Sequence, residues 1–212
     1  MSEFPETIAK IVGRPVDAAC NLIESLLGEP FKVAGDILSD QVKTWQWKNR
    51  IRIAERAQTI MLQRKISQRI LPPDFLLPLI RECGDTSDET LQEAWARLLC
   101  EAMADDTAQQ IGFVHTLKEL SPNDAKVLNS LVETGPLSVK RRPLELAKRT
   151  GLPIRVVYFS LNNIHRLGLF SATGRRLSGF GIDFLRVCLA DKTKLDNYIE
   201  LQKKLNSLAV RD

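Results

Sequence analysis

Apolar residues recur along this chain at the spacing of helices and nowhere alternate for long enough to build a large sheet. Residues 16–27, VDAACNLIESLL, carry that spacing and stop at Gly28, a residue suited to the left-handed end of a helix. Pro30 is tolerated in a first turn, and from there the pattern predicts one long helix to about residue 69. Its apolar set includes Val33, Ile37, Leu38, Val42, Trp45, Ile51, Ile53, Ile60, Leu62 and Ile66, with Gly35 weakening it locally. Leu71-Pro72-Pro73 ends it, because proline restricts its predecessor and donates no hydrogen bond. Asp74 is placed to cap a short helix through Ile80, made irregular by Pro78. Thr86 and Glu89 have capping-box spacing and head a helix over 88–104 with Leu91, Trp95, Leu98, Leu99 and Met103 on one face. A further helix is predicted over 108–119.

Ser121-Pro122-Asn123-Asp124 is a strong helix start, with serine at the cap, proline next and an acid facing the positive helix end. That helix buries Ala125, Leu128, Leu131 and Val132 and stops at Gly135-Pro136. Past a basic loop, residues 143–151 form a short helix closed by Gly151. Leu152-Pro153 turns, and a third helix runs from Ile154 to Leu167, closed by Gly168. Short helix, glycine-containing turn and longer helix make the helix-turn-helix pattern. Leu169-Phe170 and Leu177 flank Ser171-Ala172-Thr173-Gly174-Arg175-Arg176, two strand-like ends around a basic turn, as in a small wing. Gly179-Phe180-Gly181 leads into an amphipathic helix with Ile182, Phe184, Leu185, Val187 and Cys188. The expected fold class is therefore all-α, mainly helical. Its parts are a helical N-terminal region with a long helix (1–119), a winged helix-turn-helix module with a small β-wing (120–190), and a C-terminal helix or tail (191–212).

Charge changes this picture. The net +4 conceals segregation: residues 1–40 carry −4, 41–70 carry +7, 71–139 carry −8, 140–176 carry +8 and the remainder +1. Two basic blocks around an acidic one mean either an anionic partner or docking between parts of the same protein. On the third helix, Ile154, Val157, Leu161 and Ile164 make the inward stripe and leave Arg155, Asn162 and Arg166 outside. In a DNA reader these side chains face the major groove, while Arg175 and Arg176 reach phosphates or the minor groove. Lys140, Arg141 and Arg142 are further nucleic-acid candidates. The alternative is a set of solvated charges on a protein-docking module, a second use of the same fold. Lys48, Arg52 and Arg56, spaced i, i+4, i+8, form a positive edge suited to nucleic acid or an anionic membrane surface. The preferred arrangement packs that helix against the acidic 71–139 block, within the fold or across a homodimer.

No uncharged stretch approaches the roughly 18–20 apolar residues that span a bilayer, and Met1-Ser2-Glu3-Phe4-Pro5 does not begin a secretion leader. Cys20, Cys83, Cys100 and Cys188 are scattered, and with only His115 and His165 beside them zinc-ligand spacing is absent. They are expected to be reduced, buried thiols of a cytoplasmic protein. His165, beside Asn162, Asn163 and Arg166, has no nucleophile or carboxylate near it in sequence and is expected to be a partly buried structural residue. Gly179-x-Gly181 lacks the third glycine of a dinucleotide loop, and Asp105-Asp106 reads as an exposed helix end. Trp45 and Trp47, two apart, cannot share a helix face, so one belongs to the core and the other is free to anchor a partner. No catalytic residue, metal or cofactor is expected, and the chain is not expected to be an enzyme.

Several phrases, in order, resemble the abortive infection alpha (Abi-alpha) family of bacteria. They are Leu26-Leu27-Gly28-Glu29-Pro30, Gly35-Asp36-Ile37-Leu38-Ser39-Asp40, Trp47-Lys48-Asn49-Arg50, and Leu71-Pro72-Pro73 with Leu77-Pro78-Leu79. Then come Leu91-Gln92-Glu93-Ala94-Trp95-Ala96-Arg97-Leu98-Leu99, Leu120-Ser121-Pro122-Asn123-Asp124-Ala125, and Leu161-Asn162-Asn163-Ile164-His165-Arg166-Leu167-Gly168-Leu169. Together they cover roughly residues 20–190. Ser178-Gly179-Phe180-Gly181 departs from the pattern, where a threonine-proline is expected before the last helix. The resemblance implies a cytoplasmic protein that limits phage propagation at the cost of the infected cell, and it carries over no catalytic residues. The function expected is non-enzymatic phage defence by binding a nucleic acid or a phage or host protein. The alternatives are a winged-helix transcription regulator on DNA and an effector acting at a membrane through the 30–69 helix.

Overall fold

Helices supply all the regular secondary structure that the computed structural model describes, over residues 6, 9–10, 13, 17–27, 41–135, 142–172, 176–189 and 191–209. The chain forms two compact units, Met1–Lys118 and Glu119–Asp212. The first contains α1 (Asp17–Leu27), α2 (Gln41–Arg64), α3 (Pro73–Cys83) and α4 (Glu89–Ala104), and α5 (Ile111–Glu119) runs up to the junction. Its centre is α4, which is buried on nearly every side: Trp95, Leu98, Cys100 and Ala102 are inaccessible, and Gln92 and Glu101 are buried with them. A helix covered all round belongs to the middle of a unit. α2 lies along α4, and α1 packs on α2.

Three local expectations are corrected here. The helix predicted to reach residue 69 stops at Arg64, where Lys65 takes a left-handed φ of 55°. The Lys65 N–H donates to Leu62 O at 3.4 Å and the Ile66 N–H to Met61 O at 3.0 Å, the two bonds of a Schellman end. Glycine usually fills that position, so a lysine there hides the stop. The predicted stretch from Pro30 to Asp40, with Gly35, lies outside the described residues. The Thr86–Glu89 box does not form: Asp88 caps α4 by accepting from the Leu91 N–H at 3.0 Å. Thr86 instead accepts the buried Trp95 indole N–H at 3.0 Å through its hydroxyl. Asp74 sits inside the first turn of α3 without capping it, and α3 continues past Pro78 to Cys83. Between α4 and α5, Asp105 caps a short 3₁₀ turn, Asp106–Ala108.

The second unit contains α6 (Pro122–Thr134), α7 (Arg142–Thr150), α8 (Ile154–Arg166), α9 (Gly179–Phe184), which continues as a π-helical turn Leu185–Leu189, and α10 (Lys192–Ala209). The Ser121 start is a complete capping box with Asp124. α6, α7 and α8 pack on one another, and α10 covers α6. Gly151 and Gly168, with φ of 69° and 73°, close α7 and α8 in the left-handed region where glycine carries no penalty.

The expected β-wing is not found among the described residues. Phe170 and Leu177 form an isolated antiparallel bridge, and no strand is present among the described residues. The Ser171 N–H donates to Arg176 O at 2.8 Å and the Ser178 N–H to Leu169 O at 3.0 Å. On the side away from the turn the pairing stops because both flanks are already committed. Gly168 terminates α8 on one side, and Ser178 caps α9 on the other by accepting from the Gly181 N–H at 2.9 Å. Residues 173–175 lie outside the described set.

Candidate functional site

α8 takes its position from three buried residues one turn apart, Val157, Ser160 and Ile164. The inward stripe is thus rotated from the expected one: Leu161 is half-buried and Ile154 is 45% exposed. The outward side carries Ile154, Arg155, Tyr158, Phe159, Asn162, His165 and Arg166. Tyr158 is 51% exposed and Phe159 60%, and the Arg155 guanidinium lies 5.5 Å from the Phe159 ring centroid. Sequence reasoning missed both rings, although placing Val157, Ser160 and Ile164 inward turns positions 158 and 159 outward by helical phase. His165 is exposed rather than partly buried.

The other candidates scatter. Arg166 is tied down: its Nη2 is 2.6 Å from Glu119 Oε2 and 2.8 Å from Asn163 Oδ1. Arg142, grouped with the loop cations from sequence, is buried at 3% exposure, its guanidinium 5.2 Å from the Phe170 ring centroid. Burial lowers its pKa from the ordinary value. Arg176 is half-buried at the bridge, and Lys140, Arg141 and Arg175 lie outside the described residues. Of the set expected to meet nucleic acid, Arg155 and Asn162 remain presented on α8.

Two separated phrases meet in space here. Asn163 Nδ2 donates to Asp124 Oδ2 at 2.9 Å and to Glu119 O at 3.2 Å, while Asp124 Oδ2 also accepts from the Ser121 N–H at 2.8 Å. The start of α6 and the end of α8 are locked by one buried carboxylate. The two phrases so joined are those of the resemblance, and the family model described as abortive infection alpha matches residues 48–179. The chain belongs to the abortive infection alpha family. The match begins within α2 and ends at the first residue of α9, narrower at both ends than the phrases suggest. No curated protein and no solved structure matches the chain.

In this Abi-alpha chain the basic stretch of the first unit turns toward acids of the same unit. Arg64 is 2.6 Å from Glu101, Arg69 is 2.6 Å from Asp106 and Arg56 is 3.7 Å from Glu93. Arg50 donates from Nε to Ile80 O at 2.8 Å and stacks 5.2 Å from the Trp47 ring centroid, and burial lowers its pKa. The positive edge of Lys48, Arg52 and Arg56 is therefore broken at Arg56, while Arg52 stays exposed and Lys48 is half-buried. Of the pair on α2, Trp47 is the buried one, and Trp45, 41% exposed, donates its indole N–H to Ser87 Oγ at 2.9 Å. All four cysteines are buried, and none is in a disulfide. Among the described residues no three His, Cys, Asp or Glu side chains gather as a metal site, and no helix is long and apolar enough to cross a membrane.

Proposed function

We propose that this Abi-alpha protein limits phage propagation in the cytoplasm without catalysis, by binding a macromolecule through α8. In this reading residues 120–190 are a winged helix-turn-helix module with a minimal wing, followed by a C-terminal helix over 191–212. One observation carries it: α8, set behind the Gly151 turn, presents an outward face with two exposed rings and Arg155 and no carboxylate along its length. The test is a plaque assay in a bacterium expressing the chain or its Arg155→Ala variant. Wild-type chain is expected to lower plaque counts and the variant to restore them in part. Unchanged counts with wild-type chain across a broad phage panel would remove the reading.

The second reading is a transcription regulator that places α8 in the major groove of duplex DNA, favoured by the exposure of Arg155 and Asn162. It predicts salt-dependent duplex binding that weakens when Arg155 becomes alanine. An absence of duplex binding at low salt would eliminate it.

A further inference from the structure

The composition of the α8 face narrows what it can hold. It carries two exposed flat rings, Tyr158 and Phe159, together with exposed Arg155, Asn162 and His165. No acid occurs between Ile154 and Arg166, and residues 140–176 as a whole carry +8. Paired bases in a duplex are stacked on one another and offer a recognition helix only their edges, so two rings at the centre of the face would meet little there. Unpaired bases expose their π-faces, and basic surfaces set with aromatic side chains bind them by stacking while cations hold the phosphates. An apolar protein partner would bury a continuous aliphatic patch, whereas here Ile154 is the one exposed aliphatic side chain beside the rings and the rest of the face is Arg155, Asn162, His165 and Arg166. Those groups also favour ribose. Asn162 offers both a donor and an acceptor, the pair of functions a 2′-hydroxyl matches and deoxyribose lacks.

We propose that the outward face of α8 binds single-stranded RNA, with unpaired bases stacking on Tyr158 and Phe159, Arg155 on the phosphates and Asn162 on a ribose hydroxyl. This rests on the reading of α8 as the contact face and names its ligand. Arg155, already over the Phe159 ring, is placed to clamp a stacked base from the side. Arg166 contributes little charge, because Glu119 neutralises it.

The test uses the full chain and a fluorescein-labelled, mixed-sequence RNA of about 12 nucleotides, within the site sizes of single-strand binders, read by fluorescence anisotropy. Tyr158→Ala and Phe159→Ala are each expected to weaken binding about tenfold, while Tyr158→Phe, which keeps the ring, binds as wild type. DNA of the same sequence binds more weakly than RNA, and Asn162→Ala removes that difference. Duplex RNA and duplex DNA bind more weakly than either. Preference for duplex overturns the proposal, as does a loss confined to Arg155→Ala with the ring variants unaffected, or equal affinity for RNA and DNA. Capture of an acidic protein through the two rings in place of RNA does the same. Both rings are exposed, so circular dichroism is expected to match wild type. Should an alanine variant misfold, Phe159→Trp supplies a second readout. Its emission, taken as the difference from wild type, quenches when a base stacks, and an unquenched signal overturns the assignment. Paired with the plaque assay, the outcomes separate: protection without RNA binding sinks the RNA proposal alone, and ring-dependent RNA binding without protection sinks the defence reading alone.

Discussion

Cys83 and Cys100 show what burial does to one group. Both thiols are pushed up to about 12 by loss of solvent, with Arg50 and Arg64 respectively opposing the shift. A raised folded pKa means that the folded state holds its proton where the unfolded state releases it. Stability from this source is therefore complete below about pH 9 and drains away as pH climbs toward 12. Denaturant titrations at pH 8 and pH 10.5 are expected to give a lower unfolding free energy at the higher pH, with a smaller fall in a Cys83→Ala, Cys100→Ala double variant. Equal slopes in the two proteins would show that other groups govern the alkaline loss. The same thiols are expected to resist iodoacetamide in the folded protein, because the reactive form is the thiolate.

A close backbone approach lies where the start of α9 passes Leu169, just beyond α8. A methyl group on Gly181 would overlap the Leu169 carbonyl oxygen, the same oxygen that accepts from Ser178. One Gly179 substituent, by contrast, would touch nothing within 4 Å. Gly181→Ala is expected to cost about 1–3 kcal/mol by overpacking, and Gly179→Ala to leave stability unchanged or slightly raised, both by chemical denaturation. Similar values for the two would mean that the close approach relaxes without penalty. Within the phrase that departs from the family pattern, Ser178 caps α9 and Gly181 permits this close approach. Elements with strong end signals were legible in the sequence. Ser121 with Asp124, Gly151 and Gly168 mark helix ends that the structure places within a residue or two. Ends made by an atypical residue were not, since nothing in the side chain of Lys65 announces a left-handed backbone. Nor was the pairing of Arg142 with Phe170, because burial of a cation depends on a ring 28 residues further along the chain. The charge blocks showed that oppositely charged segments could meet, but not that Arg166 would be held by Glu119 and Arg155 left exposed.

At the scale of the molecule, the two units differ in charge as well as in core. Residues 1–118 carry 14 basic and 17 acidic side chains, and residues 119–212 carry 16 and 9. The first unit is thus net −3 and the second +7, which concentrates attraction for a polyanion on the unit that contains α8. All three tryptophans, Trp45, Trp47 and Trp95, belong to the first unit. Tryptophan fluorescence therefore follows one core while far-ultraviolet circular dichroism follows both. In Gly181→Ala, the dichroism transition is expected to begin at lower denaturant than the fluorescence transition. Coincident curves would show that the chain unfolds as a single cooperative body.

The Phe170–Leu177 bridge carries a last consequence, for reach. Its two ends are fixed by backbone hydrogen bonds and by the α9 cap, so the base of the turn is held whatever sequence the turn contains. Closing a longer flexible turn over that fixed base costs only about 0.6 kcal/mol per doubling of length. The turn is thus a place where natural insertions, an epitope tag or an added run of arginines can extend the surface while the scaffold beneath keeps its form.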